Sequence, residues 1–279
     1  MATQTEQGAQ NGNHQGKGTA VVTGASSGIG AVYADRLARR GYDLLLVARD
    51  GERLNSVAER LRQQTGRHVE IISADLTVKA DLRRVEERLR ADRAITMLVN
   101  NAGVGATAAL IDSDIDALEK MIDLNVTSLT RLTAAVLPGL VERGAGAVIN
   151  ISSIVALSPE TLNGTYSGTK AYVLNLTQSL RHEVGGKGVR VQAVLPGATS
   201  TTFWDRAGLA IQHLPSQIVM SADDMVDAAL AGLDQGELIT IPSLLDAADW
   251  EQLNSARQHL QPNLSHSVPA ARYRSAVAG

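Results

Sequence analysis

Residues 19–30 read TAVVTGASSGIG (Thr19 to Gly30), a β-branched run that passes without a spacer into three glycines. A segment of helical period follows at once: Ile29, Val32, Tyr33 and Leu37 fall at i, i+3, i+4 and i+8, and the pattern stops at Gly41. Strand, glycine turn and helix in direct succession gather unpaired N–H groups and the positive end of the helix dipole at one point. Glycines there permit a tight turn and close backbone approach. Such a point suits a diphosphate, so Thr23, Gly24, Ser26, Ser27, Gly28, Ile29 and Gly30 are candidate nucleotide-binding residues.

Working outward, the same alternation repeats. Short apolar runs predict strands at Ala20–Thr23, Asp43–Ala48, His68–Ser73, Ile95–Asn100, Ala147–Ser152, Val189–Leu195 and Glu237–Ile241. Helical stretches lie between them, such as Leu54, Val57, Ala58 and Leu61 behind an Asp50 cap, ending before Gly66. Runs that are apolar throughout, such as LLLVA (Leu44–Ala48), fit a sheet covered on both faces. The expectation is an α/β fold, a doubly wound parallel sheet of about seven strands in three layers α/β/α. Residues 1–18 read as a disordered lead-in, 19–260 as a single domain and 261–279 as a tail that either packs on the body or frays.

Composition narrows the function. Lys+Arg 26 against Asp+Glu 29 gives a formal charge of −3, without the basic footprint of a nucleic-acid binder. With no cysteine there is no disulfide, thiolate metal site or cysteine nucleophile, and the six histidines lack ligand spacing. No metal is expected. The longest apolar run is short and the lead-in lacks the apolar stretch of a signal peptide, so a soluble, cytoplasmic protein without a membrane partner is expected.

The second strand ends Val47-Ala48-Arg49-Asp50. A carboxylate at Ala48 would hold the ribose 2′-hydroxyl of NAD; here a guanidinium follows instead. Arg49 can pair with a 2′-phosphate, whereas Asp50 sits where the next helix needs its cap. NADP(H) is the expected cofactor.

Tyr166 and Lys170 are four apart on one helix face, and Ser153 ends the strand before them. Asn125 falls on the apolar stripe of Leu118, Met121, Ile122 and Leu129, where an amide must find partners. With TGASSGIG, Asp75-Leu76, Asn100-Asn101-Ala102-Gly103, Asn125, Ser153, Tyr166-Ser167-Gly168-Thr169-Lys170, and Pro196-Gly197 with Thr201 in this order, the sequence resembles a classical short-chain dehydrogenase/reductase across about 19–242. The resemblance implies a Rossmann-type fold and a catalytic set of Asn125, Ser153, Tyr166 and Lys170. It also implies that Asp75 and Leu76 meet the adenine and that Asn101, Ala102 and Gly103 line the adenine-ribose side. Pro196, Gly197, Thr199 and Thr201 would meet the nicotinamide, and Lys170 its ribose, beside Tyr166.

Reducing a ketone needs a hydride and a proton on the developing alkoxide. Tyr166 is the expected acid, with Ser153 holding the carbonyl oxygen. A free phenol, with a pKa of about 10, is poorly matched to neutral pH. The Lys170 ammonium and an oxidised nicotinamide would favour phenolate; a drop of about three pH units needs about 4 kcal/mol of differential interaction. By resemblance Asn125 orders a water chain toward the lysine.

The expected activity is an NADPH-dependent carbonyl reductase, equivalently an alcohol dehydrogenase, acting on a small ketone or alcohol. The alternative is a non-catalytic NADP(H)-sensing regulatory protein, which has no need of all four catalytic residues. The segment Ala198–Met220 should form a lid, with Phe203 and Trp204 as candidate substrate contacts. One departure from the family is the last strand, which ends ITIPSL where many members carry an aspartate and glycines. A second departure, the extra segment after Pro242, puts the homotetramer in doubt, because the last strand forms a subunit contact in many tetrameric members, and it leaves a homodimer available through the Asp114–Arg143 and Tyr166–Val184 helices.

Overall fold

The computed structural model describes residues 16–274. Residues 1–15 of the expected lead-in and 275–279 of the tail lie outside the described residues. Each apolar run forms a strand: β1 (Thr19–Thr23), β2 (Asp43–Ala48), β3 (Val69–Ser73), β4 (Ile95–Asn100), β5 (Gly146–Ile151) and β6 (Val189–Val194). Two-residue strands β7 (Thr199–Ser200) and β8 (Met220–Ser221) pair with each other, and β9 (Ile239–Thr240) closes the main sheet. That sheet is wholly parallel, in the order β3-β2-β1-β4-β5-β6-β9. Seven strands in a Rossmann-type order match the reading from sequence.

Alternation along the strands builds two cores. Ala20, Val22, Leu44, Leu46, Met97, Val99 and Ile149 face helices α1 (Gly28–Arg39), α2 (Gly51–Thr65) and, later in the chain, one spanning Ala222–Gln235. Val21, Leu45, Val47, Leu98, Val148 and Val191 face the opposite way, toward α3 (Lys79–Ala91) and the long helical stretch after β4. Burying each Leu or Val side chain contributes about 1.5–3 kcal/mol. A strand such as β2, buried on both faces, therefore has no stable place at an edge.

The helix expected over Asp114–Arg143 is interrupted. It runs as α4 (Ile115–Ile122), a π-helical turn Asp123–Ser128 and α5 (Leu129–Arg143). Leu118 and Met121 on α4 are buried, Ile122 is 41% exposed, and Asn125 on the wide turn is buried. Ser128 and Thr130 hydroxyls donate to the carbonyls of Leu124 and Val126, at 2.6 and 2.8 Å, within and just after that turn. Ile115–Arg143 taken together is long and apolar enough to cross a membrane by length and composition, which the reading of short apolar runs did not anticipate. Leu132, Ala135, Val136 and Leu140 lie in the core against α3 and the sheet, and this burial accounts for the apolar content.

The chain continues through α6 (Gly164–Val184), α7 (Phe203–Ala207), α8 (Ala222–Gln235) and α9 (Ala247–Leu260). β9 is shorter than the expected Glu237–Ile241 because only Ile239 and Thr240 register against β6 before Pro242, which has no N–H to donate. The chain divides into two units, Met1–Pro242 and Ser243–Gly279, so α9 falls in the second unit and not in the first, where the reading of 19–260 put it. Within the second unit, Asp246 caps α9 through the Ala248 N–H at 2.9 Å.

Candidate active site

Loops leaving the carboxyl ends of β1, β4, β5 and β6 meet where the strand order reverses, between β1 and β4. Crevices at that point are where open α/β sheets bind ligands. The glycine loop turns sharply after β1. Gly24 and Gly28 take φ of +67° and +53°, and a Cβ on Gly30 would stand 2.3 Å from the Gly24 carbonyl oxygen. Ser27 caps α1 without a side-chain hydrogen bond, and the first turn holds no acidic residue. Ser26, Ser27 and Ile29 are half-buried around this opening. The cradle fits an anionic diphosphate.

Thr23 and Asn101 were expected to bind cofactor; the structure uses their polar atoms to clamp the loops. Thr23 is 2% exposed. Its hydroxyl accepts the N–H groups of Asn101 and Ala102, both at 3.0 Å, and donates to the Val99 carbonyl at 3.3 Å. The Asn101 amide donates to the Thr23 carbonyl at 2.9 Å. Ala102 and Gly103 follow, half-buried, on the held loop. A Cβ on Gly28 would meet the Thr201 methyl at 3.1 Å, so the segment after β6 reaches back to the glycine loop. Pro196 and Thr199 are buried and Gly197 half-buried along that segment, with the Thr199 hydroxyl on the Gly197 carbonyl at 3.2 Å.

At the end of β2, Asp50 caps α2 through the Arg53 N–H at 3.0 Å, as expected. The Arg49 side chain is 60% exposed, and a guanidinium nitrogen lies 3.7 Å from Asp75. An ion pair so exposed adds little. Burial raises the Asp75 carboxyl, but hydrogen bonds from Thr77 and the nearby Arg49 outweigh it and leave the pKa below its ordinary value. Leu76 is buried beside it. Arg49 thus stands open to solvent at the end of β2, with Asp75 next to it.

Asn163 caps α6, its side chain accepting the N–H groups of Thr165 and Tyr166 at 2.9 and 3.2 Å. That cap fixes Tyr166 in the first turn and Lys170 one turn later. Ser153, at the end of β5, accepts the Val155 N–H at 3.3 Å. Lys170 Nζ donates to the Ile151 carbonyl at 3.0 Å and lies 5.8 Å from the centre of the Tyr166 ring. Asn125, on the π-helical turn, grips Val104 twice: Oδ1 accepts its N–H at 3.0 Å and Nδ2 donates to its carbonyl at 2.9 Å. The same amide donates to Thr169 Oγ1 at 3.1 Å, and Thr169 donates to the Tyr166 carbonyl at 2.7 Å. All four residues expected to be catalytic are therefore brought together. Thr169, inside the Tyr166–Lys170 motif, and the Val104 backbone belong to the arrangement too, and nothing in the sequence pattern marks Val104.

Burial dominates the electrostatics. It lowers Lys170 to about 8 and pushes Tyr166 up to about 12, the Ser153 hydrogen bond pulling the other way. The expected descent of Tyr166 toward neutrality is absent from the protein by itself, because desolvation of a phenolate prevails. What the site holds is a neutral phenol, ready to give a proton.

The two lid aromatics divide their roles. Trp204 is 8% exposed, its indole N–H donating to the Thr199 carbonyl at 2.9 Å, so it anchors the lid rather than facing substrate as expected. Phe203 is half-buried, its ring centre 5.9 Å from that of Tyr166. With Val104, Ala106 and Leu162 it packs on the cluster of Leu118, Met121, Val155 and Tyr166.

The family model for short chain dehydrogenase matches residues 18–210. An uncharacterized oxidoreductase of Staphylococcus epidermidis is 34% identical over 72% of this chain and 88% of its own. A short-chain dehydrogenase from Sphingobium yanoikuyae, solved in complex with NADPH, is 50% identical, with a TM-score of 0.90 over 92% of this chain and all of that one (100%). A bulky-bulky ketone specific alcohol dehydrogenase from Comamonas testosteroni is 45% identical, with a TM-score of 0.85 over 92% of this chain and 98% of its own. From the glycine loop to the Tyr166–Lys170 turn, sequence, fold and likeness agree: the chain is an oxidoreductase and belongs to the short-chain dehydrogenase family.

Proposed function

We propose that the protein is an NADP(H)-dependent carbonyl reductase, interconverting a ketone or aldehyde and the corresponding alcohol. One observation carries the reading: Tyr166 is buried beside Ser153, with the Lys170 Nζ 5.8 Å from its ring centre. The glycine loop and Lys170 would hold the diphosphate and nicotinamide ribose, and Arg49 the 2′-phosphate. NADPH, when bound, supplies the hydride. The NADPH bound to the Sphingobium protein supports the cofactor, and the ketone specificity of the Comamonas enzyme supports the substrate class.

The chain's own residues handle the proton. Ser153 and Tyr166 hydroxyls hold the carbonyl oxygen, and Tyr166 gives up its proton as that oxygen becomes an alcohol. A phenol of pKa about 12 keeps its proton at neutral pH, so the acid is neutral and holds the proton that reduction needs. The Lys170 ammonium limits the cost of the phenolate left behind. Asn125 keeps Val104 and Thr169 in register beside it, and the apolar cluster around Phe203 excludes water and receives the substrate's carbon groups. The apolar surface left on Ile115, Ile122 and Tyr172 supports a homodimer through α4 and α6. A cytoplasmic location accords with these expectations.

The test is consumption of NADPH by purified protein with aryl ketones, keto esters and hydroxysteroids, beside NADH controls. Turnover with NADPH and little with NADH is expected. Tight NADPH binding without consumption of any carbonyl compound would turn the reading toward a nucleotide sensor.

A further inference from the structure

Phe203 is the only phenylalanine in the chain. Its ring tip presses on Gly105. A Cβ on Gly105 would stand 2.3 Å from Cζ, 3.0 Å from Cε2 and 3.2 Å from Cε1, so any side chain there displaces the ring. The glycine has little room to yield. Val104, one residue before, is held by Asn125 through both its N–H and its carbonyl. Thr107, two residues after, donates its hydroxyl to the Ala207 carbonyl at 2.7 Å, on the same helix α7 that carries Phe203. The next residue along α7, Trp204, lies edge-on to the ring at 5.6 Å and is tied to Thr199. Loop and helix are pinned to each other, and the missing side chain at 105 is the space that the ring occupies.

We propose that Gly105 is a specificity-determining residue: its bare backbone receives the tip of the Phe203 ring, which packs 5.9 Å from the Tyr166 ring, and so keeps that ring from moving further across the site, admitting ketones with a large apolar group next to the carbonyl. This rests on the carbonyl-reductase reading. Filling the slot drives the ring toward the substrate's side. Small ketones still fit; large ones lose their place.

Two aryl ketones that differ only in the alkyl arm, acetophenone and valerophenone, serve as probes for the wild type, Gly105→Ala, Phe203→Ala and the double variant. In Gly105→Ala the ratio of kcat/KM for valerophenone over acetophenone should fall about tenfold or more, the range of a one-methylene discrimination in an apolar pocket. In the double variant the ratio should return to within about threefold of Phe203→Ala alone, since the two residues act through one contact. An unmoved or raised ratio in Gly105→Ala, or effects that simply multiply in the double variant, would overturn the proposal. Protein made with 2-fluorophenylalanine carries a single fluorine site, at position 203. Its 19F resonance should move in Gly105→Ala, and an unmoved resonance would likewise overturn the slot. That reading needs no turnover, so where the wild type reduces neither ketone the slot is still judged by the resonance, apart from the carbonyl-reductase reading. Should Gly105→Ala fail to fold, the double variant should fold, because the clash is gone; its failure would show that position 105 needs glycine for another reason.

Discussion

The two sides of Tyr166 are built differently. On the glycine-loop side, the ends of β1 and β4 are clamped by Thr23 and Asn101 through five side-chain to backbone bonds of 2.9 to 3.3 Å. On the lid side, α7 has five residues, β7 and β8 two each, and single turns at Ile211–His213 and Ser216–Ile218 complete the segment. That segment is fastened at a few points: Thr107 to Ala207, the Trp204 indole to Thr199, and the Met220 N–H to the Ala198 carbonyl at 2.9 Å. The contrast separates chemistry from choice of substrate. A cofactor side locked by its own strands can stay constant while a lightly pinned lid varies.

Four expected outcomes probe that division. Tyr166→Phe should lower carbonyl turnover by about two to four orders of magnitude while NADPH binds about as tightly as in the wild type, the range of a positioned acid. Kinetics beside a fluorescence titration check it; retained turnover would move the acid to Ser153. Arg49→Ala should raise the KM for NADPH by roughly 10- to 150-fold and that for NADH little, given about 1.5–3 kcal/mol for a charge-assisted pair. A pH profile comes next. Burial lowers Lys170 from its ordinary value to about 8, so the ammonium is present below pH 8 and is lost as pH rises through it. If that ammonium captures the nicotinamide ribose, kcat/KM for NADPH should fall about tenfold per pH unit above this point. Lys170→Arg, which keeps its charge, should flatten the limb. The smallest effect belongs to the lid. Thr107→Val removes one neutral hydrogen bond, about 0.5–1.5 kcal/mol. It should raise ketone KM a few-fold and leave the NADPH dissociation constant in place, whereas an equal effect on both would dissolve the contrast between the two sides.

The sequence was most readable where neighbours along the chain settle the structure. β2 and β4 end where they were expected, because Gly41 and the Asp50 cap bracket one and the Asn100-Asn101 turn closes the other. Asn125 was legible as an amide needing partners, but the π-helical turn that aims it was hidden. A single added residue leaves the apolar period almost intact, so the pattern does not mark it. Trp204 and Phe203 looked alike in sequence. Their fates differ through contacts made far along the chain, at Gly105 and Tyr166 for the phenylalanine, which no local pattern encodes. Gly105 itself reads as one more loop glycine. The second unit likewise begins at Ser243, a boundary set by packing and unmarked by composition.

The central claim is that Tyr166 and its neighbours reduce a carbonyl with hydride from a nucleotide held by the glycine loop. It is tested most directly by incubating the protein with acetophenone and NADPH doubly deuterated at nicotinamide C4, then locating the label by NMR. The account predicts one deuterium on the carbinol carbon of 1-phenylethanol for each NADPH oxidised, and about a hundredth of that labelling or less in a Tyr166→Phe sample that still binds the nucleotide. Bound NADPH with no labelled alcohol from the wild type, or equal labelling in the Tyr166→Phe variant, would contradict it.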